Sequence, residues 1–126
     1  MTQETAPTLI LYGIKTCDTV RKARKYLSDN HIDVTFHDFR QQGIDSHLLE
    51  QFIEGLGLKA LLNTRGTTWR NLTDEEKQST ADPLAARNIM LKHPAVIKRP
   101  VLVRADGKML VGFDTETWST FLQGAN

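Results

Sequence analysis

The 126-residue chain holds a single cysteine, Cys17. One thiol excludes a disulfide framework within the chain and argues against a cysteine-built zinc site. No run of about 18 apolar residues is present, so nothing in the sequence reads as a membrane span. Charge of one sign is not in excess: 16 Lys and Arg face 15 Asp and Glu, a formal charge of +1. A dedicated nucleic-acid binder usually carries a strong basic surplus. The four histidines, His31, His37, His47 and His93, stand at no metal-binding spacing, so no metal site is expected. No serine-based nucleophile motif appears. The opening residues, Met1 to Thr8, lack the basic and apolar stretches of a secretory signal. A lone thiol without such a signal points to a reducing cytoplasm.

What remains is ordinary globular composition, 40% hydrophobic and 25% charged. The length predicts one domain spanning residues 1–126, large enough to bury about two thirds of its unfolded surface. Leu9 to Ile14 is an apolar run of strand length. Val20, Ala23 and Leu27 then recur at helical spacing, with Thr16 as the expected cap and Asp18 in the first turn. Val34 to Phe39 alternates like a second strand. Strand, helix, strand in one sheet implies a parallel pair.

From about residue 42 to residue 98 the pattern is helical. Leu48, Leu49, Phe52, Ile53 and Leu56 mark one face, closed by Gly55 and Gly57, and Leu61-Leu62 opens a short piece ending near Thr64. Thr73 and Glu76 form a capping box, and Asp82-Pro83 starts another helix that His93-Pro94 stops. Val101 to Arg104 and Met109 to Phe113 flank an Asp106-Gly107 turn, a strong hairpin signal. Thr115 to Leu122 reads as a final helix. The order is β-α-β, a helical block, then β-β-α.

Cys17 falls where a strand hands over to a helix. The first amides of a helix lack internal partners and carry partial positive charge. A thiolate placed there is stabilised, its pKa falls, and the thiolate is the nucleophile. Lys15 adds a positive charge and Thr16 a hydroxyl, while Asp18 pulls the other way. The net direction expected is downward. Such a thiol is a candidate for catalysis rather than for packing. Arg21, Lys22, Arg24 and Lys25 read as a solvated helix face.

Four segments resemble the arsenate reductase (ArsC) and Spx family of the thioredoxin superfamily, in its YffB-like branch. They are Tyr12 to Ala23 around the cysteine, Asp38 to Gly43, Leu61 to Arg70, and Ile89 to Pro94 followed by Lys98-Arg99-Pro100-Val101. The resemblance covers residues 9–122 in order. It implies a thioredoxin- or glutaredoxin-like mixed sheet with a helical insertion between the second and third strands. It implies a cis peptide before Pro100, opposite the cysteine loop.

The resemblance assigns Cys17 as nucleophile and Arg99 as an oxyanion-holding arginine. Arg65 lies in the segment that supplies another, with Lys15, Thr16 and Pro100 around the substrate. The chain departs from the arsenate-reductase pattern at two places. Asn63 stands where one arginine is expected, two positions before Arg65, and Gly112 lies near the expected third. Val20, three residues after Cys17, leaves no partner for an intramolecular disulfide. A lone thiol needs a second thiol from solution to resolve its mixed disulfide, and glutathione is the expected co-substrate, with no bound cofactor. The function so implied is a glutathione-dependent monothiol reductase acting on a disulfide, a glutathionylated substrate or an arsenate-like oxyanion. The alternative is an Spx-like regulator that binds the C-terminal domain of the RNA polymerase α subunit.

Overall fold

The apolar run near the start of the chain forms an inner strand of a four-stranded sheet. The structure, a computed structural model, describes residues 9–123. Strand β1 is Ile10–Gly13, β2 is Thr35–Asp38, β3 is Val101–Val103 and β4 is Met109–Val111. Their order is β2-β1-β3-β4. β1 runs parallel to β2, with Tyr12 beside His37 and Gly13 beside Asp38. It runs antiparallel to β3, with Ile10 beside Val103 and Tyr12 beside Val101. β4 returns antiparallel to β3. An inner strand bonded on both edges favours continuous apolar sequence, which Leu9 to Ile14 supplies.

The chain divides into two compact units. One combines the chain up to Gln42 with the chain from Arg99 onward; the other is Gly43–Lys98. In the first, helix α1 (Asp18–Asp29) buries Val20, Ala23 and Leu27. Leu11, Ala23, Leu27, Leu102 and Trp118 form the core, with Tyr26, Phe36 and Phe113 packed against it. Trp118 comes from the last helix of this unit, Thr115–Gln123, where Asp114 accepts the Glu116 and Thr117 amides. The expected hairpin forms with strands shorter than the apolar runs. Gly107, at φ +89°, closes a turn on the Arg104 carbonyl. The buried Arg104 donates to Asp106 and to the Phe121 carbonyl, tying the hairpin to that helix.

The second unit holds α2 (Ser46–Leu56), α3 (Leu58–Leu61), α4 (Thr67–Arg70), α5 (Asp74–Ser79) and α6 (Pro83–Lys92), then a 3-10 turn at Pro94–Val96; the final helix of the chain is thus α7. The capping box at Thr73 and Glu76 is present in both directions. Two readings are corrected here. The short piece expected at Leu61-Leu62 ends at Leu61, because Leu62 is extended and bridges Ile97. Helix α4 was not expected, since a single turn leaves no periodicity to read. Among the described residues no helix is long and apolar enough to cross a membrane.

Candidate active site

The chain leaves β1 through a turn in which the Cys17 amide donates to the Ile14 carbonyl at 3.0 Å. Lys15 and Thr16 are its two corner residues, and both are exposed. Cys17 follows with extended backbone angles, and its carbonyl accepts the Arg21 amide at 2.9 Å as the first bond of α1. The cap of α1 is therefore Cys17. The expectation that Thr16 caps the helix is corrected: a residue spent on the corner of a turn cannot also stand at the helix entrance.

Half-buried Cys17 is a free thiol. Burial pushes its pKa up, but the Val20 amide, the Arg99 guanidinium and the Thr19 amide outweigh that and hold it below the ordinary thiol value. The amides are the unpartnered donors of a helix start. Their approach depends on Gly13, where a Cβ would lie 2.7 Å from Cγ2 of Val20. Glycine thus lets the first turn of α1 press against the end of β1. Val20 is fully buried, so the position where a second cysteine would complete a Cys-x-x-Cys pair is a packing position.

Arg99 arrives from the far end of the sequence by strand register. Ile10, Leu11 and Tyr12 pair with Val103, Leu102 and Val101. Continuing that register sets Pro100 and Arg99 across from Gly13 and Ile14, beside the cysteine turn. The Arg99–Pro100 peptide is cis, as the resemblance implied. Pro100 is buried, and its carbonyl accepts the Gly112 amide at 2.8 Å. Gly112 has φ +86°, a conformation that costs any residue with a side chain. The backbone at that point is suited to glycine and strained for arginine.

Cys17, Lys15, Thr16, Arg99 and Pro100 are thus brought together in one unit. Arg65 belongs to the Gly43–Lys98 unit, exposed, in the turn that leads into α4. Its amide donates to Oδ1 of Asn63 at 3.3 Å, and the Asn63 amide to the Val96 carbonyl. Asn63 therefore organises that turn. The first amides of the helix, expected from the sequence to stabilise the thiolate, are those of Thr19 and Val20. One contributor near the Cys17 site escaped the sequence reading. Asp38, 3% exposed, accepts the Lys15 amide at 3.1 Å and the Arg40 amide at 2.7 Å. Its sequence signals are an acid in an alternating strand and its place at the head of the Asp38 to Gly43 segment that resembles the family. Among the described residues no group of three or more His, Cys, Asp or Glu could hold a metal ion.

A mixed four-stranded sheet carrying a stabilised thiol at the strand-to-helix turn defines a thioredoxin-like protein of the glutaredoxin kind. A family model described as the ArsC family matches residues 12–121, and the chain belongs to that family. It is 42% identical over 110 residues to an uncharacterized protein of Haemophilus influenzae, covering 87% of this chain and 95% of the relative. The solved structure of a protein named YFFB superimposes with a TM-score of 0.83 at 40% identity, covering 90% of this chain and 97% of that one. More distantly, the chain is 22% identical over 116 residues to the global transcriptional regulator Spx 2 of Bacillus anthracis, covering 90% of this chain and 86% of the relative.

Proposed function

We propose that this protein is a monothiol reductase that uses glutathione as its resolving thiol. The Cys17 thiolate attacks one sulfur of a disulfide, foremost a glutathionylated substrate. A bond forms between Cys17 and that sulfur, the old sulfur–sulfur bond breaks, and the substrate leaves as a thiolate. Glutathione thiolate then attacks the mixed disulfide, releasing glutathione disulfide and restoring the Cys17 thiolate. For a glutathionylated substrate the attacked sulfur is glutathione's, so one free glutathione joins the bound one as glutathione disulfide and the substrate is released as its thiol. The observation that carries this reading is the Cys17 thiol held low by helix amides and Arg99, in a chain with no second cysteine.

Arsenate-like oxyanions are the weaker substrate class, because Asn63 and Gly112 replace two expected arginines and Gly112 is in a backbone state unsuited to arginine. A role for Arg65 rests on the family resemblance, and Arg65→Ala is the substitution that tests it.

The decisive experiment couples glutathione, glutathione reductase and NADPH to a glutathionylated peptide, with arsenate in a parallel assay. Turnover of the peptide that disappears in Cys17→Ser is the expected result. A folded wild-type protein that turns over neither substrate and takes up no glutathione overturns the enzyme reading. Capture of the RNA polymerase α C-terminal domain by that inactive protein would then favour the regulatory one, toward which the likeness to Spx 2 points.

A further inference from the structure

Asp38 is a carboxylate buried to 3% exposure at the end of β2, in the same unit as Cys17. Burying an ionised carboxylate is costly unless donors surround it. Here Oδ2 accepts the Lys15 amide at 3.1 Å and Oδ1 accepts the Arg40 amide at 2.7 Å. Burial raises its pKa, and the Arg40, Lys15 and Gln41 amides lower it by more, so the group is ionised at neutral pH. Its own backbone is gripped as well. The Asp38 amide donates to Oε1 of Gln42 at 2.9 Å, and the Gln42 amide donates to the Asp38 carbonyl at 2.8 Å.

Lys15 is the first corner of the turn that ends at Cys17. Without Asp38 its amide would have to find water, and the turn would keep within it only the bond from the Cys17 amide to Ile14, beside the Arg21 amide that ties the Cys17 carbonyl to α1. A turn so loosened lets the thiol shift away from the Thr19 and Val20 amides. We infer that Asp38 is a positioning residue for Cys17: its buried carboxylate fixes the Ile14–Cys17 turn and so aims the thiol at the first amides of α1 and at Arg99. This rests on the reading of Cys17 as a working thiolate.

The charges around the turn make the test one of sign. Lys15, Arg40 and Arg99 are cationic there, and Asp18 and Asp38 anionic. If Asp38 acted on Cys17 by charge alone, removing it would favour the thiolate. If it acts by position, removing it disfavours the thiolate. Asparagine keeps the shape but offers one oxygen acceptor and sets an N–H group against an amide donor. Gln42→Ala loosens Asp38 from the exposed side and leaves its charge intact.

The experiment measures iodoacetamide alkylation of Cys17 against pH in wild type, Asp38→Asn and Gln42→Ala, beside ultraviolet titration of the thiolate. The expected result is a higher midpoint in both variants, with alkylation at neutral pH slowed about threefold to tenfold. The plateau rate at high pH, where every thiol is ionised, is not lowered, since a thiolate of higher pKa is at least as nucleophilic. A purely structural role would lower the melting temperature and leave the midpoint where it was. A wild-type midpoint below the ordinary thiol value, with variant midpoints equal to it or lower, overturns the positioning role. A wild-type midpoint at the ordinary value overturns the proposed function itself. Should Asp38→Asn not fold, Gln42→Ala decides by the same criterion.

Discussion

Arg99 and Gly112 show how single residues set the chemistry of this site. The Arg99 guanidinium bonds to the thiol and attracts the thiolate, so Arg99→Ala should raise the Cys17 pKa. Alkylation at neutral pH should slow as the thiolate fraction falls, by at most about tenfold for each unit the pKa rises. Because the folded pKa of Cys17 is depressed, the thiolate stabilises the fold fully above the unfolded value of about 8.5, and that contribution is lost as pH falls through the folded value. The stability advantage of wild type over Cys17→Ser should therefore shrink on acidification, as read by denaturant titrations at a series of pH values. Gly112 sits at φ +86°. Gly112→Arg, which would supply the arginine that arsenate reductases carry near there, should cost about 1–2 kcal/mol. A lowered thermal midpoint checks it.

At the scale of elements, the junction of β1 with α1 governs the site. Its geometry depends on the absent Cβ of Gly13, which would meet Cγ2 of buried Val20 at 2.7 Å. Gly13→Ala should therefore destabilise the protein by about 1–3 kcal/mol, since overpacking displaces neighbours held in fixed rotamers. It should also raise the Cys17 pKa, because α1 moves away from the thiol it stabilises. Adding Val20→Ala makes room for the new methyl, so the double variant should recover part of the loss beyond additivity. Chemical denaturation of the four proteins gives the answer. In the Gly43–Lys98 unit, by contrast, helices begin on local signals: Asp45 caps α2 and the Thr73–Glu76 box caps α5.

At the scale of the molecule, a path of contacts joins the core to the site. Trp118 is fully buried, and its indole N–H donates to the Gly112 carbonyl at 2.9 Å. The Gly112 amide in turn holds the Pro100 carbonyl, next to Arg99. Phe113 and Tyr26 pack edge-on against the same indole. Trp118→Ala should cost about 3–5 kcal/mol through lost burial and the cavity left behind. It should unfold cooperatively at a lower midpoint, which calorimetry would read. Trp118→Phe keeps most of the apolar volume and loses the indole bond. Its smaller loss would separate the packing from the hydrogen bond.

Much of this was legible along the chain because it is local. Helices announced themselves by the spacing of Val20, Ala23 and Leu27, strands by short apolar runs, and caps by Thr73 and Glu76. The position of Cys17 at the end of a strand and the start of a helix followed from those patterns, and with it the downward direction of its pKa. Arg99 and the cis peptide before Pro100 were readable by resemblance to the ArsC family. Residue periodicity alone could not bring them to Cys17, because that meeting depends on the antiparallel register of β1 with β3. Hydrogen bonds between distant residues likewise leave no spacing to read. The Asp38 carboxylate on the Lys15 amide is one such bond. The shift of the helix cap from Thr16 to Cys17 came from competition with a turn whose closing bond only the folded backbone defines. Local periodicity determined the elements and the place of the thiol; the register between strands decided what surrounds it.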